Sequence, residues 1–188
     1  YRKREAKGMR LGLRVEQRHC NRQPFCHGGM LSALCDMLIS FTALRESKAP
    51  GGVTVNLATQ SASDGDGGTD RLLNMEGVLG SLQNDQISGD GLANILDGNT
   101  GNDTLDGGTG NDWARYDFDE SYGSAHNLDV HGVRVNLGTG FARDGFGTFD
   151  TLISIENVRG TNLYDRVIGS AANNVLDGQG GADYLSGG

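Results

Sequence analysis

Gly98-Asn-Thr-Gly-Asn-Asp-Thr-Leu-Asp106 runs directly into Gly107-Gly-Thr-Gly-Asn-Asp-Trp-Ala-Arg115, two successive nine-residue units of the form G-G-x-G-x-D-x-U-x, where U is apolar. The glycines supply the positive φ that a tight turn needs, the aspartate at unit position six offers a hard oxygen, and the apolar residue at position eight points into a thin core. The same phase extends upstream. Gly80, Gly89, Gly98 and Gly107 are nine apart, with Ile87, Leu96, Leu105 and Ala114 at position eight. Position six reads Asp85, Asn94, Asp103 and Asp112, all oxygen-bearing. Position four reads Gln83, Leu92, Gly101 and Gly110, so the first two units are degenerate.

A longer repeat contains the short one. Displacing the chain by 80 residues aligns Gly52-Val-Thr-Val-Asn-Leu57 with Gly132-Val-Arg-Val-Asn-Leu137, and 26 of the 57 positions that follow without a gap are identical. Asp64/Asp144, Asp70/Asp150, Glu76/Glu156, Asp85/Asp165, Asp97/Asp177 and Asp103/Asp183 are among the matches. The second copy restarts the nonad at Gly160, Gly169, Gly178 and Gly187, which places Val167, Leu176 and Leu185 inward. The chain starts at Tyr1 and stops two residues into a unit, which reads as a fragment at both ends.

Charge divides the chain more sharply than its net −8 shows. Residues 1–49 hold ten Lys and Arg against four Asp and Glu, and residues 50–188 hold six against twenty, with the boundary near Ala49-Pro50-Gly51-Gly52. The acidic part contains no Lys, no Cys and 27 of the 31 glycines. Such a chain cannot build a thick core, and once compact its carboxylates crowd together. Their repulsion opposes folding unless a counter-ion intervenes. Hard carboxylate and carbonyl oxygens in flexible turns suit calcium, whose binding free energy then becomes folding free energy.

These nonads resemble the RTX, or haemolysin-type, calcium-binding repeats. The resemblance implies a mainly-β fold, a parallel β-roll in which each nonad is a six-residue turn and a short strand, and two nonads complete one coil. It also implies calcium between turns stacked every second unit, held by backbone carbonyls and position-six carboxylates. The expected partners are Asp85 with Asp103, Asn94 with Asp112, and Asp165 with Asp183, aided by the turn glycines Gly98, Gly101, Gly107, Gly110, Gly178 and Gly181. Asn174 lacks a partner unit. The expected divisions are a basic segment at 1–49, repeat copy one at 50–115, a connection at 116–131, and copy two at 132–188. The family context implies a secreted or cell-surface protein exported by type I secretion, unfolded in the low-calcium cytosol and folded by calcium outside.

Other features carry less. Ser63-Asp-Gly-Asp-Gly-Gly-Thr-Asp70 reads as a solvated acidic turn, with a weak calcium contact through Asp64 or Asp70 as the alternative. It is not an EF-hand loop, because Thr69 stands where the required Gly belongs and Met75 where the bidentate Glu belongs. In the basic segment, Leu11–Val15 reads as a strand. Met30, Leu34, Met37, Leu38, Phe41 and Leu44 recur at helical spacing from Gly28 until Pro50. His27-Gly-Gly-Met-Leu-Ser-Ala-Leu-Cys-Asp36, with Asn21 upstream, resembles the H-G-G-x4-L-A-D motif of hotdog-fold acyl-CoA thioesterases. That resemblance would make Asn21, His27, Gly28 and Gly29 the groups that polarise a CoA thioester carbonyl, and Asp36 the base or nucleophile. One strand and one helix do not make a hotdog, so the join reads as chimaeric or truncated. No catalysis is expected, and the thioesterase stands as the alternative. Cys20, Cys26, His27 and Cys35 do not have zinc-knuckle spacing. His126 and His131 read as surface residues. The basic run at Tyr1–Arg4 has no aromatic platform for nucleic acid. Neither H-E-x-x-H nor G-x-S-x-G occurs, and no stretch approaches a membrane span.

Overall fold

The computed structural model describes residues 51–65, 67–119 and 131–188. The expected strand and helix of the basic segment lie outside those residues, as do the three cysteines, the thioesterase-like Asn21, His27, Gly28, Gly29 and Asp36, and also Asp66 and His126.

Among the described residues fifteen short strands follow one another: β1 (Thr54–Asn56), β2 (Ser61–Ser63), β3 (Thr69–Arg71), β4 (Gly77–Leu79), β5 (Gln86–Ser88), β6 (Ile95–Asp97), β7 (Thr104–Asp106), β8 (Trp113–Arg115), β9 (Arg134–Asn136), β10 (Phe141–Arg143), β11 (Phe149–Ile153), β12 (Asn157–Arg159), β13 (Arg166–Ile168), β14 (Val175–Asp177) and β15 (Tyr184–Ser186). In every nonad the strand occupies unit positions seven to nine, after the six-residue turn. Alternate nonads feed opposite sheets, so β5 pairs β7 and β6 pairs β8, both parallel and both eighteen residues apart. The described residues form a two-sheet parallel β-roll. One sheet of five strands is wholly parallel, in the order β14-β12-β8-β6-β4. The other has ten strands, β15-β13-β9-β10-β11-β7-β5-β1-β2-β3, and contains two antiparallel meanders, β1-β2-β3 and β9-β10-β11, one opening each long repeat.

The two copies form one continuous solenoid. Strand β11 lies parallel on β7, pairing Leu152 with Leu105, and β12 lies parallel on β8, pairing Val158 with Ala114. Between the sheets runs a thin core, to which each short nonad strand turns its central side chain. Ile87, Leu96, Leu105 and Ala114 from copy one, and Val133, Val135, Val158 and Val167 from copy two, are each at most 2% exposed. At the far edge the roll opens. Leu176 on β14 is only partly buried, and Leu185 on edge strand β15 is 44% exposed, because neither edge strand has a further coil against it. A core so thin leaves little apolar area to offset chain entropy, so the turns must contribute to stability.

Candidate metal centre

The turns that precede the strands are of two kinds. In 98–103, 107–112 and 178–183, unit positions two and four are both left-handed: Asn99 (φ 65°) with Gly101 (φ 128°), Gly108 (φ 87°) with Gly110 (φ 155°), and Gln179 (φ 57°) with Gly181 (φ 111°). A Cβ on Gly101 would stand 2.6 Å from the Gln83 carbonyl oxygen and 3.0 Å from Asp103 Oδ1. One on Gly110 would meet the Leu92 carbonyl oxygen at 2.4 Å. Only glycine leaves room for a carbonyl and a carboxylate to converge there.

In 80–85, 89–94, 160–165 and 169–174 no residue is left-handed, and the position-six side chain closes its own turn instead. Ser81 N and Ser81 Oγ donate to Asp85 Oδ2 and Oδ1 at 2.5 and 2.7 Å, and Val53 N adds a third bond to Asp85 Oδ1 at 2.7 Å. Asp165 repeats this with Thr161 N, Thr161 Oγ1 and Val133 N at 2.7, 2.8 and 2.8 Å. Asn94 Oδ1 accepts from Asp90 N, and Asn174 Oδ1 from Ser170 N. In the sequence Ser81 and Thr161 are marked as turn-closing groups only by a hydroxyl four residues before an aspartate, in units that lack the glycine at position four. Replacing Ser81 by Ala should cost about 1 kcal/mol, the net worth of a buried hydrogen bond, because Asp85 keeps its two backbone donors. The urea midpoint in calcium should fall, and the calcium concentration for half-folding should rise by less than about threefold, since several ions share the loss.

The position-six groups stack along each side of the roll. Asp85 N donates to Asp103 Oδ1 at 2.8 Å, and Asp103 N in turn donates to Asp150 Oδ1 at 3.1 Å. On the other side Asn94 N donates to Asp112 Oδ1 at 2.7 Å, and Asp112 N to Glu156 Oε2 at 2.9 Å. In copy two Asp165 N donates to Asp183 Oδ1 at 3.0 Å. Each first oxygen is thus occupied by the coil beneath. The second is not: Asp103 Oδ2 and Asp112 Oδ2 are buried with no hydrogen-bond partner. A buried carboxylate oxygen without a partner is costly, and a cation is the group that would satisfy it.

Electrostatics says the same. Burial pushes the Asp103 carboxyl up to about 9, opposed by the bond from Asp85 N and reinforced by Asp150, Asp85 and Asp144. Asp112 is raised by burial, against its bond from Asn94 N and with Glu156, Asp90 and Asp106 adding to the rise. Burial also raises Asp85 and Asp165 above the usual range, against the donors of their own turns. Among the described residues no three His, Cys, Asp or Glu side chains form a ready metal cage. Any ion in these turns therefore takes most of its ligands from backbone carbonyls, which suits calcium's six to eight oxygens.

The junction between copies holds more buried acid than the sequence indicated. Asp97, Asp119, Asp144 and Asp150 are each at most 3% exposed, and Tyr116 OH donates to Asp150 Oδ2 at 3.2 Å. Burial is the first cause of all four shifts, to about 7 for Asp97 and Asp150 and about 9 for Asp119, with Asp144 also raised. The counterparts of Asp144 and Asp150 in copy one, Asp64 and Asp70, are half-buried. The first copy's acidic loop is therefore partly solvated and the second copy's is enclosed. Asp64 Oδ1 accepts from Gly68 N at 2.9 Å, and Asp144 Oδ1 from Thr148 N at 2.7 Å, so both cap their own loop.

The described residues thus form a β-roll of stacked parallel coils whose turns carry buried carboxylates. Residues 79–114 and 160–188 match the RTX calcium-binding nonapeptide repeat, in four copies, and the nonads of this chain are repeats of that family. No curated protein matches the chain. Among the described residues no helix is long and apolar enough to cross a membrane.

Proposed function

We propose that residues 50–188 form a calcium-folded structural module of a secreted or cell-surface protein, with copy one at 50–115, a connection at 116–131 and copy two at 132–188. The observation that carries this reading is the pair of buried, partnerless oxygens Asp103 Oδ2 and Asp112 Oδ2, each in a turn whose positions two and four are left-handed. Asp103 and Asp112, with carbonyls of their own and the stacked turns, are the principal ligands. Asp85 and Asn94 belong to the coils beneath, and in copy two Asp183, with Gly178 and Gly181 shaping its turn, is the corresponding donor above Asp165. Bound calcium supplies positive charge among carboxylates that otherwise repel one another and resist burial. Before export, in low calcium, the chain stays extended enough for type I secretion; outside, calcium folds it.

The test is far-UV circular dichroism of the full chain titrated with calcium or magnesium. Calcium should drive a coil-to-β transition and magnesium should not, since flexible oxygen turns do not meet magnesium's strict octahedron. An equal transition with magnesium would remove the calcium assignment and leave only the repeat architecture.

A further inference from the structure

The outer face of the ten-stranded sheet changes character between the two copies. Residues 50–188 contain six arginines and no lysine. Three of the six stand side by side: Arg166 on β13 is in register with Arg134 on β9, and Arg134 with Arg143 on β10. Their neighbours Val135, Val167 and Ala142 are buried, so by the two-residue alternation of a strand the arginines point outward. Aromatic residues close the row at both ends, Tyr184 opposite Arg166 and Phe149 opposite Arg143. Phe141 packs on Phe149 with ring centroids 5.4 Å apart, and the Arg166 guanidinium lies 5.3 Å from the Tyr184 ring centre. Tyr184, Phe149, Phe141 and Tyr164 are 47–61% exposed. An open cleft lined in part by Arg134, Arg143 and Tyr164 runs beside the row.

The first copy has the same backbone and none of this chemistry. Eighty residues earlier, Thr54, Ser63 and Gln86 replace the three arginines, and Ser61, Thr69, Asn84 and Thr104 replace the four aromatics. The fold needs neither the charge nor the rings. Among the described residues the ion pairs are Arg115 with Asp117 and Arg159 with Asp177, and none of the three row arginines takes part. Three neighbouring guanidinium groups repel one another, and exposed rings gain nothing from water. Their concentration on one face of a strongly acidic chain calls for an anionic ligand that also offers apolar surface.

From this we infer that the outer face of copy two binds a linear acidic polysaccharide. Strands recur every ~4.8 Å, so the guanidinium forks repeat at about the length of one sugar ring, and each can take a carboxylate in a two-point hydrogen bond. Phe149 and Tyr184 would lie against the C–H faces of the sugars. Nucleic acid fits less well, because the net charge of the chain opposes so dense a polyanion while three arginines offer it few phosphate contacts.

The experiment is calorimetric titration of the full chain, in one fixed calcium buffer at low salt, with oligogalacturonate, a neutral oligosaccharide of equal length, and single-stranded DNA. Oligogalacturonate should bind, the neutral sugar should not, and added salt should weaken binding. Replacing Arg134→Thr, Arg143→Ser and Arg166→Gln together installs the residues that copy one carries. It should weaken oligogalacturonate by more than about tenfold while the calcium-induced dichroism is retained. If the triple variant does not fold, Arg134→Thr alone, at the centre of the row, should still weaken binding severalfold. No binding of oligogalacturonate at millimolar concentration, unchanged binding by folded variants, or tighter binding of DNA would each overturn the inference. Dichroism on the same samples separates this failure from a failure of the calcium reading, which would show as no folding in any arm.

Discussion

In metal-depleted buffer the chain should become more stable as the pH falls, gaining β-structure between about pH 9 and pH 5. Burial holds Asp103 and Asp119 near 9, and Asp97 and Asp150 near 7, against an ordinary value of 3.8. Between the ordinary value and the raised one, the folded state keeps protons that the unfolded state has lost. Stability therefore falls as pH rises through that window, by up to about 1.4 kcal/mol per pH unit for each group. Below about pH 4 both states are protonated and the penalty vanishes. Calcium inverts the dependence at its ligands, because a carboxylate must be ionised to bind, so calcium affinity should rise with pH. Urea unfolding followed by circular dichroism from pH 5 to 9, with and without calcium, checks both signs. Calcium-free stability that is flat or rises with pH would contradict the buried-acid account.

Replacing Asp103 and Asp112 by Asn should have opposite effects in the two conditions. Asn keeps the shape and retains the Oδ1 that accepts from Asp85 N or Asn94 N, while losing the charge. With calcium, the loss of a charged ligand from a turn with intact glycines should raise the half-folding calcium concentration at least about tenfold for each substitution. The double variant should be worse than either, because neighbouring coils share an interface and fold together. Without calcium, the same substitutions remove a buried anion that the fold otherwise has to neutralise, so they should stabilise whatever compact state exists. Asp64→Ala touches neither turn and should leave the calcium midpoint near its starting value, while losing the loop-capping bond from Gly68 N. A larger calcium defect from Asp64→Ala than from Asp103→Asn would move the main site into the acidic loop that opens each copy.

Much of the roll was legible because its information is local. A glycine every nine residues with an apolar residue seven places later places strands β5 to β8 and β13 to β15, and the pairing of alternate nonads follows from two units per coil. The stacking of Asp85 on Asp103 and of Asp165 on Asp183, each across eighteen residues, is the same regularity seen at the turns. The docking of copy two on copy one is not local. β11 meets β7 across 47 residues, and no short pattern marks it. The break comes at Tyr116, which stands where the nonad phase asks for the next glycine and is buried against Asp150. Around this junction Asp144 and Asp150 are enclosed and Asp97 and Asp119 are buried, whereas the identical Asp64 and Asp70 stay half in water. The two kinds of turn were half visible. Glycine at position four distinguishes them in the sequence, but the hydroxyls of Ser81 and Thr161 disclose their role only once Asp85 and Asp165 are seen accepting from them.

Anomalous diffraction from a crystal of the full chain grown in millimolar calcium tests the central claim most directly. The account predicts calcium peaks beside Asp103 Oδ2 and Asp112 Oδ2, between their turns and the turns stacked on them. A well-ordered, calcium-saturated crystal with no peak at either position, or with its ions confined to the acidic loops at Asp64 and Asp144, would contradict it.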